Sequence, residues 1–149
     1  MDTITFEDQV LAMVIPAHFS EPGVSFFTPN NYSQQLAYMR HPAGRTVRAH
    51  AHNEMKREVF RTLEVLFIRK GRLRVDFYKQ DGAYIVSYIL GAGDTILLIS
   101  GGHGFEMLEE VEMIEVKQGP FAGPTDKTLF DPVAPDKIRI SATCRRSYP

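Results

Sequence analysis

Tryptophan is absent from this 149-residue chain, and cysteine occurs once, at Cys144. A lone thiol excludes an intrachain disulfide, so the fold must rest on its core, and nothing signals an oxidising compartment. No apolar run is long enough to cross a bilayer as a helix, and Met1 to Asp8 lack the cationic start of a secretory leader. A cytoplasmic location without membrane partners is the expectation. Charge of one sign is also missing: 17 Lys and Arg stand against 18 Asp and Glu, for a net charge of −1. A general nucleic-acid binder would carry a strongly basic balance, so nucleic acid is not an expected partner. No phosphate-binding loop, catalytic-triad signature or zinc-protease helix appears, and neither does an internal repeat.

What is present is a core. Hydrophobic residues make up 44% of the chain and charged residues 23%, the balance of a globular domain of ordinary size. Short β-prone runs alternate with turn signals. Gln9 to Pro16 and Val24 to Phe27 come first, and Ser33 to Met39 leads to the turn Pro42-Ala43-Gly44. Arg45 to His52 reads as a strand. Glu64 to Lys70, Gly71 and Leu73 to Tyr78 read as a hairpin, and Asp81-Gly82 turns the chain into Ala83 to Leu90. Gly91 to Asp94 turns it again into Thr95 to Ile99. His103 to Leu108 and Val111 to Lys117 are expected to pair across Glu109-Glu110. Between Asn53 and Leu63, Met55, Val59 and Leu63 recur at spacing four, which suggests a helical turn. Strands this short and evenly spaced predict an all-β, antiparallel barrel or sandwich. Beyond Gly119, Pro120, Pro124, Pro132 and Pro135 interrupt the chain and only Lys137 to Thr143 is strand-like. This tail is expected to cover a barrel edge or exchange with a partner chain, with a loosely packed terminus as the equal alternative.

Two glycine-bounded stretches carry the chemistry. In the first, Gly44 is followed after five residues by His50-Ala51-His52, and six residues separate Glu64 from Gly71. In the second, Gly93-Asp94 opens an apolar run that ends in Ser100-Gly101-Gly102-His103. On a strand, His50 and His52 leave the backbone on one side while Ala51 points away. Glu64 opens the apolar run Val65 to Ile68 and is expected to face inward. Three imidazoles and a carboxylate suit Fe(II), Mn(II), Ni(II), Co(II) or Zn(II), and affinity order does not choose among them. Glu54 and Glu58 are competing carboxylates within the intervening segment. By the same strand parity Arg48 shares a face with His50 and His52, as a candidate substrate-binding anion contact. His18 and His41 lie outside both stretches.

These two stretches resemble the paired motifs of the cupin superfamily. The gap between His52 and Glu64 is longer than the family's usual one, and Ile99 and Met107 stand where proline and asparagine are common. The resemblance implies a single cupin domain over 1–149, an antiparallel double-stranded β-helix or jelly roll. Its parts would be N-terminal strands to residue 43, a barrel core over 44–117 and an irregular C-terminal segment. The metal ligands implied are His50, His52, Glu64 and His103, and a homodimer is implied as well. Such a ligand set leaves positions for a small-molecule ligand. The function expected is a metal-dependent enzyme acting on a sugar derivative or a keto or hydroxy acid, with isomerase or epimerase chemistry. Glu106 and Tyr88 are candidate proton carriers. The alternatives are a non-catalytic small-molecule-binding module and a non-haem iron dioxygenase.

Overall fold

The computed structural model describes residues 1–143, and within them every named element but two short 3-10 turns is a strand. The ten strands are β1 (Asp2–Phe6), β2 (Gln9–Ile15), β3 (Gly23–Phe26), β4 (Ala37–Arg40), β5 (Glu64–Lys70), β6 (Arg72–Tyr78), β7 (Tyr84–Gly91), β8 (Thr95–Leu98), β9 (Gly102–Met107) and β10 (Glu112–Lys117). They form a five-stranded sheet in the order β1-β2-β8-β5-β10, a three-stranded sheet in the order β7-β6-β9, and the separate hairpin β3-β4. All named strand pairs are antiparallel. The fold is therefore all-β and antiparallel as expected, but among the described residues the strands do not close into a barrel.

Alternation explains which faces meet. Leu73, Val75 and Phe77 on β6 are buried against Ala12, Val14, Leu66, Ile68, Ile96 and Leu98 of the larger sheet. Burial of this shared apolar layer is the main stabilising term. The opposite face of the larger sheet presents Met13, Ile15 and Leu97 to Leu36, Leu63 and the rings of Phe19, Phe27 and Tyr32, so it carries a second core.

Turn chemistry fixes the registers. Gly71 joins β5 to β6 at φ +78°, and a Cβ there would lie 2.0 Å from the Glu110 carbonyl oxygen, so only glycine fits. At the next turn Lys79 N–H donates to the Ala83 carbonyl (2.8 Å) while Asp81 Oδ1 accepts from Ala83 N–H (3.0 Å). Asp94 is fully buried, and its carboxylate accepts the Ala17 and Gly91 N–H groups at 2.8 and 2.9 Å, clamping the entry to β8.

Several expectations from the sequence are corrected. His103 to Leu108 does not pair with Val111 to Lys117: β9 joins β6 and β10 joins β5, so the Glu109-Glu110 turn carries the chain between sheets. The charge pairs Lys70–Glu110 (2.7 Å) and Arg72–Glu109 (3.5 Å) hold that crossover near the β5–β6 turn, which a plain hairpin would not require. Arg45 to His52 is not a strand. It is exposed and irregular, as is Asn53 to Leu63 apart from a bend at Arg61, so no helical turn forms there. Leu63 alone of the three spaced apolar residues is buried; Met55 and Val59 are exposed and give a helix no face to pack. Lys137 opens in a 3-10 turn (Pro135–Lys137), and among the described residues beyond it only Ile140 bridges to a strand, at Ser87. The tail does cover an edge: Ser87 N–H donates to the Arg139 carbonyl and Ser141 N–H to the Ser87 carbonyl, both at 2.8 Å. Cys144 lies outside the described residues.

Candidate functional site

Glu64 is the first residue of β5, and Glu64, Leu66 and Ile68 share the face that looks into the sandwich. Its side chain is 8% exposed, in a position where an ionised group needs a partner. His103 supplies one. It sits opposite Phe77 on β9, the edge strand of the smaller sheet, and therefore shares Phe77's inward face. His103 Nε2–H donates to Glu64 Oε2 at 3.1 Å, linking the two sheets. This bond holds the Glu64 carboxyl below its ordinary pKa of 4.5 against the opposing effect of burial, and the positive charges of His103, Lys127 and Lys117 add to it. Lys117 lies directly across from Glu64 on β10. The Phe105 ring lies 5.3 Å from the His103 ring.

His50 and His52 form the other half of the expected set. Their rings meet edge to face at 5.3 Å on the exposed segment before β5. His50 Nδ1 lies 3.0 Å from the Arg48 carbonyl, so Nδ1–H donates there and Nε2 is the nitrogen left for a metal ion. The structure thus brings the expected ligands together as two pairs, Glu64 with His103 and His50 with His52. Among the described residues no three His, Cys, Asp or Glu side chains gather closely enough to hold a metal ion.

The other sequence candidates fall elsewhere. Arg48 is exposed, and the strand parity that set it beside the histidines does not apply to an irregular segment; its carbonyl rather than its guanidinium meets His50. Glu54 and Glu58 are exposed, and Glu58 faces Lys56 at 3.9 Å. Glu58 also lines a groove of about 440 Å³ with Tyr32, Phe60 and Arg61, which none of the four expected ligands borders. Tyr88 is fully buried and its hydroxyl donates to Asp2. Glu106 binds Arg74 at 2.6 Å on the face of β9 opposite to His103.

One cluster escaped the sequence reading. Arg74 donates from Nε and Nη2 to the two carboxylate oxygens of Asp76 at 2.7 and 2.9 Å, a bidentate pair on the β6 face turned away from the apolar core. Ser87 Oγ donates to the same carboxylate at 2.5 Å, and the Tyr84 hydroxyl joins Ser87 Oγ at 2.7 Å. Arg139 N–H donates to the Tyr84 oxygen at 2.9 Å, and the Tyr78 hydroxyl accepts from Val133 N–H at 3.0 Å, so the network anchors the C-terminal segment. Its signal in the sequence is the Arg-x-Asp alternation within an otherwise apolar strand.

Compared with known proteins, the chain matches no family model, no curated protein and no solved structure.

Proposed function

We propose that the chain is a cupin-type metalloprotein. Glu64, His103, His50 and His52 hold one divalent metal, and the protein is an enzyme acting on a small polar substrate. A sugar derivative or a keto or hydroxy acid, turned over by isomerase or epimerase chemistry, fits this reading best. The observation that carries it is the 3.1 Å contact between Glu64 and His103. A buried carboxylate and an imidazole nitrogen from opposite sheets would be half of a transition-metal ligand set, the ion taking the place of the proton they share. The other half lies on the segment that runs into Glu64, with His50 Nδ1 tied to the Arg48 carbonyl and Nε2 left for the ion.

For the four ligands to meet, the irregular segment before β5 must fold inward toward β9. When bound, a metal of this kind acts as a Lewis acid that stabilises an oxyanion. The chain's own residues divide the remaining work. The His103 bond, helped by Lys127 and Lys117, keeps Glu64 ionised, and the two lysines add positive potential that favours an anionic ligand. Phe105 gives His103 an apolar flank that limits its ring positions.

A second reading, a non-catalytic binding module, draws support from the two proton carriers expected from the sequence. Tyr88 is engaged with Asp2, and Glu106 with Arg74 on the far face of β9. Calorimetric titration of the full chain with Mn(II), Co(II) and Zn(II) tests the proposal. One equivalent of metal per chain is expected, lost in His50→Ala and in His103→Ala. The metal-loaded chain is then assayed with sugar derivatives and with keto and hydroxy acids. Variants that lose metal yet keep ligand binding or turnover refute a metal-centred function, and metal-dependent binding without turnover selects the binding module.

A further inference from the structure

β10 is the outer strand of the five-stranded sheet, and among the described residues no further strand pairs with its free side. Gln118 N–H donates to the Leu63 carbonyl, which sets the parity of the strand. Val116 and Ile114 turn their backbone groups toward β5, whereas Glu115 and Lys117 turn theirs outward. On the outer sheet face, Ile114 lies across from Phe67 and Val116 across from Val65. Ile114, Val116 and Phe67 are 51%, 56% and 41% exposed, so an apolar strip reaches the open edge. An edge with unpaired backbone groups and an apolar strip is a template for another strand.

We infer that a second copy of this chain occupies this edge, with β10 pairing antiparallel to the partner's β10 across a two-fold axis at Val116. The charges select both partner and register. Centring the axis on Glu115 or on Lys117 sets like charges face to face. Centring it on Ile114 sets Glu115 against Met113 and leaves Lys117 without an acid. Centring it on Val116 places Glu115 opposite the partner's Lys117 and Lys117 opposite the partner's Glu115, at the positions whose backbone groups point outward. It also joins the two apolar strips through Val116. Against a generic apolar strand the same two charges would be buried without partners, so they admit a copy of themselves and discourage other strands. Five paired residues per strand make a small interface, for which a dissociation constant on the order of micromolar is expected.

The inference stands independently of the metal reading. Lys117 nevertheless lies across from Glu64, so the partner's Glu115 would reach the rim of the Glu64–His103 contact.

Sedimentation equilibrium of the full chain over a wide concentration range tests it. A reversible monomer–dimer equilibrium is expected. Glu115→Lys and Lys117→Glu should each raise the dissociation constant by about tenfold, from two reversed cross-strand pairs. The double exchange Glu115→Lys/Lys117→Glu should restore it. Hydrogen exchange should show the Glu115 and Lys117 amides gaining protection with concentration. A monomer mass throughout overturns the inference. So do single reversals without effect, a double exchange that fails to restore pairing, or amides equally protected in the monomer, which would mean that the chain's own residues cover the edge.

Discussion

Replacing Asp76 with asparagine keeps the side-chain volume and removes only the charge that Arg74 is built against. In the native protein both side chains are nearly buried, at 11% exposure for Arg74 and 5% for Asp76. The Asp76 carboxylate takes two guanidinium bonds and the Ser87 hydroxyl, and the guanidinium pKa is raised chiefly by its bond to Asp76. An asparagine amide offers one oxygen to three donors and turns an NH2 group toward a cation. Breaking a buried pair by removing one partner costs about 3–5 kcal/mol, because the remaining charge stays out of water. Glu106 offsets part of this, yet its side chain is 56% exposed and its pairing with Arg74 is worth about 0.2–1 kcal/mol. Against a total stability of about 5–15 kcal/mol, Asp76→Asn should lower the urea midpoint by about 2 M at unchanged slope. Glu106→Gln should move it by less than about 0.5 M. If Asp76→Asn falls within about 1 kcal/mol of the wild type, the network is not a fixed element of the fold.

Other perturbations probe different parts of the account. Gly71→Ala combines a left-handed backbone with a Cβ 2.0 Å from the Glu110 carbonyl, and should cost about 2–4 kcal/mol by chemical denaturation; a smaller loss would mean that the β5–β6 turn relaxes freely. Because the folded-state pKa of Glu64 is depressed, its contribution to stability is present above 4.5 and fades as pH falls through the lowered value. The stability gap between wild type and Glu64→Gln should therefore shrink on acidification, and a gap that widens there would reverse the sign argued for the His103 bond. Tyr84→Phe removes the links to Ser87 and Arg139 and should speed amide exchange at Arg139 and Ser141, at a cost of about 1 kcal/mol. Metal uptake should fail in Glu64→Gln and persist in Glu54→Gln and Glu58→Gln; the opposite pattern would reassign the carboxylate ligand.

Local turn chemistry was the most legible part of the sequence. Gly71, Asp81-Gly82 and Gly91 to Asp94 all turn the chain where their residue types required, because a left-handed glycine or a carboxylate accepting nearby amides acts within a few residues. The inward position of Glu64 was legible too, from the apolar run that follows it. Long-range pairing was not. β9 and β10 read as neighbours across two glutamates, but their partners are β6 and β5, and a short alternating segment carries no label for its sheet. Arg45 to His52 alternates like a strand yet stays exposed, since alternation specifies a strand only when an apolar face has something to cover. The Arg74–Asp76 pair was hidden because two charges within a buried strand are read as a solvated face. The C-terminal segment, far away in sequence, reaches this network through Tyr84 and Ser87.

X-ray absorption of the full chain loaded with one equivalent of Co(II) tests the central claim most directly, because it counts imidazoles. Convergence of Glu64, His103, His50 and His52 on one ion predicts three imidazole nitrogens and a carboxylate oxygen, with the imidazole count falling in His50→Ala and in His52→Ala. A single imidazole in the wild-type spectrum, unchanged in either variant, would mean that the two exposed histidines never join the Glu64–His103 pair, and would contradict the four-ligand site.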